Sequence, residues 1–301
     1  MTRLSIVVSV TDLAPSDACK EWFTALLRES RSVSAELILA GNMDGATTSA
    51  LERMAADSGV AFRTLPAGTF SLTPQLWGLG LTVAEGDVIA FTINQCVVAS
   101  GWARAILDGF ASGDAGVGGT LDLAEGTSLT GQAIYFLRYS AFLGVRERAR
   151  REVRDIAGDN AAYKREVLLR YGPYDHGFWE IEAHHWLKAD GGTLALVPGM
   201  EASFGGAPSL LPFMRQRFAH GRHFGAWRVG IGGRPVWKIV IAAPIVPFVL
   251  LLRTARRIAV RPGSLSKLAA CAIPFLLLAA AWAAGEASGA RTARRPRSSA
   301  I

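Results

Sequence analysis

Gly86-Asp87-Val88-Ile89-Ala90-Phe91-Thr92-Ile93 is a short, mostly apolar run, and such a run is typical of a strand buried on both faces. Three similar runs come before it along the chain, at Leu4–Val10, 35–40 and 60–65. Segments with helical spacing of apolar residues separate these runs, in units of about 30 residues. The pattern predicts an α/β fold with parallel strands, in which ligands bind beyond the carboxyl ends of the strands.

The composition excludes several classes of protein. Half of the 301 residues are apolar and only 19% are charged, which excludes a disordered chain. The three cysteines lie far apart, at Cys19, Cys96 and Cys271, which excludes a disulfide scaffold and favours a reducing compartment. The first strand follows Met1 almost directly, and it is too short to be the apolar core of a signal peptide.

The positive charge of the chain is concentrated at its C-terminal end. From Val236 onward there are ten Lys and Arg residues against Glu286 alone, a net charge of +9 that leaves −2 for the first 235 residues of a chain whose total is +7. A nucleic-acid-binding protein is expected to carry its positive charge on the folded domain. The distribution therefore speaks against a nucleic-acid partner and favours a membrane surface, because the basic residues are interleaved with apolar runs.

Common cofactor and nucleophile motifs are absent from the sequence. No Gly-x-Gly-x-x-Gly follows the first strand, so a dinucleotide-binding dehydrogenase is a weak hypothesis. There is no Walker A sequence, no Gly-x-Ser-x-Gly elbow and no His-Glu-x-x-His. The Gly-rich stretch 109–126 predicts a loop with a short strand at 117–121.

Two apolar runs, 236–252 and 268–284, define a C-terminal tail. Each is about 17 residues long, at the short end for a membrane-spanning helix, and prolines interrupt both. One reading is a spanning hairpin, but it would place the basic loop 253–267 across the membrane, against the positive-inside rule. A second reading is proline-broken helices that lie in the cytoplasmic leaflet, and a third is core helices of a soluble fold.

The order of these elements resembles family-2 glycosyltransferases of the GT-A fold. The strand quoted above leads into the position of the family's acidic metal motif, and Gly101-Trp102 follows as its usual sequel. Segment 158–165 (Gly-Asp-Asn-Ala-Ala-Tyr-Lys-Arg) is similar to the family's "G-x-N-x-A-x-R-R" loop, and segment 178–184 (Phe-Trp-Glu-Ile-Glu-Ala-His) is similar to its catalytic-base segment. Segment 216–222 (Gln-Arg-Phe-Ala-His-Gly-Arg) is similar to its Arg-rich helix, and segment 282–289 (Trp-Ala-Ala-Gly-Glu-Ala-Ser-Gly) is similar to the end of a membrane segment in bacterial members.

The resemblance implies a GT-A-like, Rossmann-type mixed sheet flanked by helices over residues 1–228, followed by a membrane-associated tail over 229–301. It implies transfer of a sugar, with inversion, from a nucleotide-sugar donor to a lipid-linked or envelope-glycan acceptor. The tail adds the expectation that the acceptor is membrane-proximal, and that the catalytic domain lies on the cytoplasmic face of the inner membrane.

The position of the metal motif departs from the family pattern. Members usually hold Mg²⁺ or Mn²⁺ with an Asp-x-Asp pair at the end of the fourth strand, whereas this chain reads Thr92-Ile93-Asn94-Gln95. Hard cations prefer carboxylate ligands, so we expect no tightly held metal here. Asn94 and Gln95 remain candidates for contact with the nucleotide-sugar.

The resemblance assigns the catalytic base to Glu180, which would take the proton from the acceptor hydroxyl. His184 lies one turn further along the same predicted helix face and is expected to orient Glu180 or to join a hydrogen-bond network. Without the resemblance, Glu180 reads as an ordinary acid at a helix N-terminus and His184 as a structural hydrogen-bonding group.

Four further residues are candidates for donor binding. Asp159 and Asn160 are predicted in a loop of small residues before a helix, where a plain turn and N-cap would look the same. Arg217 and Arg222 are expected to grip the diphosphate in place of a metal, because guanidinium groups bind phosphate oxygens bidentately. The alternative is that these arginines solvate an amphipathic helix.

A second hypothesis belongs to a different class of protein. Replacement of the acidic pair by Ile93, Asn94 and Gln95 is also what a catalytically inactive relative would show. Such a chain would act as a membrane-bound scaffold or binding protein. Binding of a nucleoside diphosphate, with and without a divalent cation, separates the two hypotheses.

Overall fold

The computed structural model describes residues 3–11, 18–68, 71–142 and 149–293. The described residues form two compact units. The first unit comprises Met1–Ala124 and Phe142–Gly205, and the second comprises Glu125–Ala141 and Gly206–Ile301. The first unit ends at Gly205, whereas the sequence suggests a boundary at 228, because the helix Leu210–Gly230 packs on the helix Ala272–Thr292 of the second unit.

The first unit is built on a mixed sheet, whose strands among the described residues are β1 (Leu4–Val10), β2 (Glu36–Gly41), β3 (Phe62–Pro66), β4 (Val88–Ile93), β5 (Cys96–Val98), β6 (Gly116–Leu123), β7 (Arg151–Val153), β8 (Asn160–Lys164) and β9 (Leu194–Phe204). The strand order is β3-β2-β1-β4-β8-β6-β9-β5, and β7 pairs with β9. Strands β1 to β4 are parallel, whereas β8 runs antiparallel to both β4 and β6. The mixed α/β sheet is thus confirmed.

Six helices of the first unit are α1 (Ala18–Val33), α2 (Gly45–Ser58), α3 (Thr73–Leu81), α4 (Trp102–Gly109), α6 (Arg165–Arg170) and α7 (Glu180–Ala189). The second unit contains α5 (Leu129–Tyr139), α8 (Leu210–Gly230), α9 (Val236–Ala242), α10 (Val246–Ile258), α11 (Ser264–Ala270) and α12 (Ala272–Thr292). Within the second unit, α5 packs on α12.

The strands predicted from apolar runs are present to within two residues, although the residues of β3 are only partly buried or exposed. All seven residues of β1 and all six of β4 are buried. Trp22, Trp77 and Phe91 are also buried. A predicted strand inside the Gly-rich stretch is confirmed as part of β6.

A buried carboxylate fixes the position of α4. Glu29 is 2% exposed and accepts hydrogen bonds from the backbone N–H groups of Gly101 (3.2 Å) and Ala103 (3.1 Å). These are among the N–H groups that a helix leaves unpaired at its start. Glu29 therefore caps α4 from another helix and holds Trp102, the first residue of α4, in the core.

The C-terminal apolar runs form different helices from those that the sequence suggests. The first run divides into α9 and α10, which are bent by 73° at the break that contains Pro244. The second divides at Cys271 and continues to Thr292 in α12. Among the described residues, α12 is long and apolar enough to cross a membrane, and the bent pair would be a second such element if it counted as one span.

Candidate active site

The polar residues of the candidate site gather where β1 and β4 end and the antiparallel strand β8 begins. The backbone N–H of Asn94 donates to the carbonyl of Ser9, and the Asn94 side-chain oxygen accepts from the N–H of Thr11 at 3.4 Å. Asn160, the first residue of β8, pairs with Thr92. The carboxyl edge of β4 therefore carries Asn94, Gln95, Asp159 and Asn160, which lie apart in the sequence.

The side chain of Asn160 has a structural role at this edge. Its side chain is fully buried; its oxygen accepts from the indole N–H of Trp102 at 2.8 Å, and its nitrogen donates to the carbonyls of Thr120 (2.9 Å) and Met200 (3.0 Å). The amide thus joins β8 to α4, β6 and β9. The prediction of a loop before a helix is wrong at this point, because Asn160 opens a strand and the next helix starts only at Arg165.

Glu180 is the first residue of α7, and its half-buried carboxylate reaches the same edge. A Cβ atom built on Gly158 would collide with Oε2 of Glu180 and would lie 2.9 Å from the ring of Trp77. Trp77 in turn donates its indole N–H to the carbonyl of Thr92 at 3.0 Å. The absence of a side chain at Gly158 therefore makes the room that the Glu180 carboxylate occupies beside the end of β4.

Stacked aromatic rings form the wall behind Glu180. Phe178 stacks on Phe91 with ring centroids 4.6 Å apart, and both rings also contact Trp77 and Tyr163. All four side chains are at most 2% exposed. Rigid apolar walls of this kind hold a polar group in place, because packed aromatic side chains have little rotamer freedom.

His184 lies one helical turn after Glu180 and joins a hydrogen-bond chain. Its Nε2 is 2.7 Å from the Tyr163 hydroxyl and its Nδ1 is 3.3 Å from Oδ1 of Asp155, to which Lys188 also donates at 3.1 Å. The tautomer with hydrogen on Nδ1 satisfies both contacts: His184 donates to Asp155 and accepts from Tyr163. Of the two predicted roles, the geometry favours the network, since both ring nitrogens are used within it.

Burial sets the protonation states along this chain. It lowers the pKa of His184 below its ordinary value despite the hydrogen bond to Asp155. It opposes ionisation of Asp155, yet the hydrogen bonds from His184 and Lys188 outweigh burial and lower the pKa of that carboxyl. Burial, followed by the charge of Glu180, raises the pKa of Tyr163 well above its usual range. His184 is therefore neutral and Asp155 ionised at neutral pH.

Asp155 and Tyr163 are members of the site that the sequence reasoning missed. Asp155 is 29 residues from His184 along the chain, and only the fold brings the two together. Tyr163 lies within segment 158–165, which carries part of the family resemblance. The sequence alone does not show which group its hydroxyl contacts.

The remaining predicted residues are distributed between the units. Asp159 is 2% exposed and directly precedes Asn160 in the first unit. Arg217 and Arg222 lie on α8 of the second unit, where Arg217 is half-buried and Arg222 is exposed. Their role at a diphosphate stays a prediction.

The residues at the end of β4 do not fit a tightly bound divalent cation. The Asn94 oxygen is engaged by the Thr11 N–H, and amide oxygens carry no net charge to offset that of the cation. In the part of the chain that the structure describes, no group of three or more His, Cys, Asp or Glu side chains has an arrangement suited to a metal ion.

Comparison with known proteins supports the fold. No family model and no curated protein matches the chain. Among solved structures, the chain is similar to the crystal structure of GalNAc-T7 with UDP, GalNAc and Mn²⁺, with 15% identity and a TM-score of 0.53 over 70% of this chain. The match spans 44% of that protein's chain. At this identity the likeness shows the fold alone, and it confirms a GT-A-like α/β fold; membership of family 2 stays a prediction.

Proposed function

We propose that this protein is a glycosyltransferase that moves a sugar from a nucleotide-sugar donor to a lipid-linked or envelope-glycan acceptor at the cytoplasmic face of the inner membrane. The observation that carries the proposal is the Glu180 carboxylate, which occupies the room that Gly158 leaves at the carboxyl edge of a GT-A-like sheet. Ligands of open α/β sheets bind at this edge.

In this mechanism Glu180 is the general base. The acceptor hydroxyl loses its proton to the Glu180 carboxylate while its oxygen forms a bond to the anomeric carbon of the donor sugar. The bond from that carbon to the diphosphate oxygen breaks, and the nucleoside diphosphate leaves with the electron pair. Attack from the face opposite the leaving group inverts the anomeric centre. A positioned base typically contributes about 10²- to 10⁴-fold to the rate.

The leaving diphosphate carries negative charge that must be neutralised. Because the end of β4 lacks the carboxylates that would hold a cation, we assign this role to the guanidinium groups of Arg217 and Arg222. Substituting both arginines by Ala is expected to weaken binding of the nucleoside diphosphate at least about a hundredfold, since each charge-assisted hydrogen bond contributes about 1.5–3 kcal/mol.

The experiment is a transfer assay with the full-length protein in membranes and a panel of radiolabelled nucleotide-sugars. Glu180→Gln keeps the shape of the side chain but removes the base, and it is expected to lower transfer about 10²-fold or more without changing the melting temperature. Glu182→Gln, two residues further along α7, is the matched control and is expected to retain transfer. Equal transfer by wild type and Glu180→Gln with every donor would overturn the proposal.

A binding scaffold remains a second candidate, and the Asn94-Gln95 pair favours it. Calorimetric titration with uridine and guanosine diphosphates, with and without Mn²⁺, separates the two candidates. Binding that is insensitive to Mn²⁺ and lost in the double arginine variant supports the enzyme, whereas absence of binding under both conditions supports the scaffold.

A further inference from the structure

A continuous row of apolar side chains lies uncovered along the bent helix pair α9–α10. Six of them are between 53% and 67% exposed: Trp237, Ile241, Ile245, Phe248, Val249 and Leu252. Trp237 and Ile241 share one face of α9, and Phe248, Val249 and Leu252 share one face of α10, because each of these sets contains residues three or four apart. A group of exposed apolar side chains on a folded unit marks a docking site, because apolar surface in contact with water is unfavourable.

The dimensions of the pair limit what can cover this row. At 1.5 Å per residue, the seven residues of α9 extend over about 10 Å and the thirteen of α10 over about 20 Å. The hydrocarbon core of a bilayer is about 30 Å thick. Since the two helices meet at 73°, neither limb crosses the membrane, and the pair fits within one leaflet.

Helix α12 has the length of a span, but its C-terminal half is packed closely against α8. A Cβ on Gly285 or Gly289 would collide with the backbone of α8, and a Cβ on Gly221 or Gly225 of α8 would collide with the backbone of α12. The buried carboxylate of Glu286 pairs with Arg228 of α8. Its partner helix α8 carries four arginines and two histidines, so it is unsuited to a hydrocarbon environment.

The charges around the apolar row complement anionic lipid headgroups. Lys238 lies beside Trp237, with its ammonium nitrogen 5.5 Å from the ring centroid, at one end of the row. Arg253 and Arg256 are exposed at the other end. No acidic residue occurs between 236 and 285. Aromatic and basic residues at the edges of an apolar surface are the arrangement found at the membrane interface.

We propose that the second unit is a monotopic anchor whose apolar row enters one leaflet of a bilayer rich in anionic lipids. Lys238, Arg253 and Arg256 contact the headgroups. The chain enters and leaves the membrane on the same side, so both ends of the pair lie on that side. This arrangement selects the in-plane reading of the tail over the spanning hairpin. It does not depend on sugar transfer, so it can fail while the proposed reaction stands.

Flotation of the full-length protein with vesicles tests the anchor. We expect strong binding to phosphatidylglycerol–phosphatidylethanolamine vesicles and weaker binding to phosphatidylcholine alone. The double variant Ile241→Glu and Phe248→Glu places charges in the exposed row and is expected to lower the vesicle-bound fraction at least about tenfold. Leu211→Glu, at an apolar side chain of α8 that is 70% exposed outside the row, is the matched control and should bind as the wild type does.

The basic residues are tested separately, because they contribute through charge. Arg253→Ser and Arg256→Ser are each expected to weaken binding to anionic vesicles about fivefold and to leave binding to neutral vesicles unchanged. Equal losses on both kinds of vesicle would contradict the headgroup assignment. Failure of the wild type to float, combined with oligomers that Ile241→Glu and Phe248→Glu disperse, would assign the row to a second copy of the chain and overturn the proposal.

Sidedness is tested with single cysteines in sealed vesicles and a membrane-impermeant maleimide. Ser209→Cys precedes the bent pair and Ser266→Cys follows it, and both serines are exposed. The monotopic arrangement predicts that both are labelled from the same side. Labelling of the two from opposite sides would establish a spanning segment and overturn the proposal. The unsubstituted chain controls for reaction of its native cysteines, of which Cys96 and Cys271 are buried.

Discussion

At the scale of single residues, buried polar groups determine the shape of the site more than the groups that would touch substrate. Asn160 makes three side-chain hydrogen bonds to three different elements, and His184 makes two. A buried polar group left without its partner is unfavourable by about 1–3 kcal/mol. These residues therefore hold the edge of β4 in one arrangement, against which Glu180 is placed.

Asn160→Leu is expected to destabilise the protein by several kcal/mol. The substitution keeps the approximate volume of the side chain but leaves the Trp102 indole N–H and the carbonyls of Thr120 and Met200 without their partner. Urea unfolding followed by tryptophan fluorescence measures the change. Asn42→Leu, at an exposed asparagine, is the control and should alter stability by less than about 0.5 kcal/mol. Similar midpoints for both variants would show that the amide network contributes little.

The burial of His184 predicts that the stability of the protein decreases in acid. Burial holds its folded-state pKa below 6.5, so as the pH falls through 6.5 the unfolded chain takes up a proton before the folded chain does. The free energy of unfolding therefore decreases with falling pH, by at most about 1.4 kcal/mol per pH unit for this group. The lowered pKa of Asp155 acts in the same direction, but below its ordinary value of 3.8.

Urea titrations between pH 7.5 and 5.5 measure this dependence. His184→Asn removes the titrating group, and its stability is expected to change less over this range than that of the wild type. His185→Asn, at the exposed neighbouring position, is expected to keep the wild-type slope. An unchanged slope in His184→Asn would mean that another group causes the acid sensitivity.

At the scale of elements, the close approach of α8 and α12 depends on glycine. The pairs Gly221 and Gly225 on one helix and Gly285 and Gly289 on the other are each four residues apart, so each pair lies on one helix face. Without Cβ atoms the two backbones come into direct contact, and even a methyl group must push them apart. The packing of the second unit is thus encoded in positions that carry no side chain.

Gly285→Ala is expected to destabilise the second unit by about 1–3 kcal/mol, because its Cβ would meet the backbone of Phe218 and Arg222. Gly230→Ala on α8 is the matched control: a Cβ there meets nothing within 4 Å, and the substitution is expected to be neutral or slightly stabilising. Thermal unfolding in mild detergent compares the two variants. A melting temperature of Gly285→Ala equal to that of the control would contradict the tight packing.

The elements also show which parts of the fold can be predicted from sequence. Strands β1 and β4 are recognisable because burial on both faces demands a continuous apolar run. Strand β8, Asn-Ala-Ala-Tyr-Lys, has little intrinsic β-propensity, and its antiparallel pairing with β4 is decided by contacts far apart in the chain. Pro274 suggests a break, yet it stands in the first turn of α12, where its missing N–H would have had no partner.

At the scale of the whole molecule, charge is divided between a slightly acidic N-terminal part and a basic C-terminal part. This division could be predicted from the sequence, and the family resemblance singles out Asn94, Asp159, Asn160 and Glu180 as candidate site residues. The hydrogen-bond partners of His184 and the bend between α9 and α10 could not, because both depend on tertiary packing. Composition indicates where charge lies along the chain, whereas packing decides which groups face one another.

The side chains at the end of β4 predict that the protein works without a divalent cation. Asn94 and Gln95 supply neutral amides, and the Asn94 oxygen already accepts a hydrogen bond from Thr11. Mn²⁺ or Mg²⁺ alone is therefore expected to leave the melting temperature unchanged, since a ligand stabilises a protein only in proportion to its binding to the folded state. Chelation by EDTA is likewise expected to change nucleoside-diphosphate binding and sugar transfer by less than about twofold, because only weakly held cations would be removed. Loss of nucleoside-diphosphate binding and of sugar transfer on EDTA treatment, with recovery on addition of Mn²⁺, would show that carboxylates outside the replaced motif hold a cation. Asp159 would be the first of these carboxylates to test.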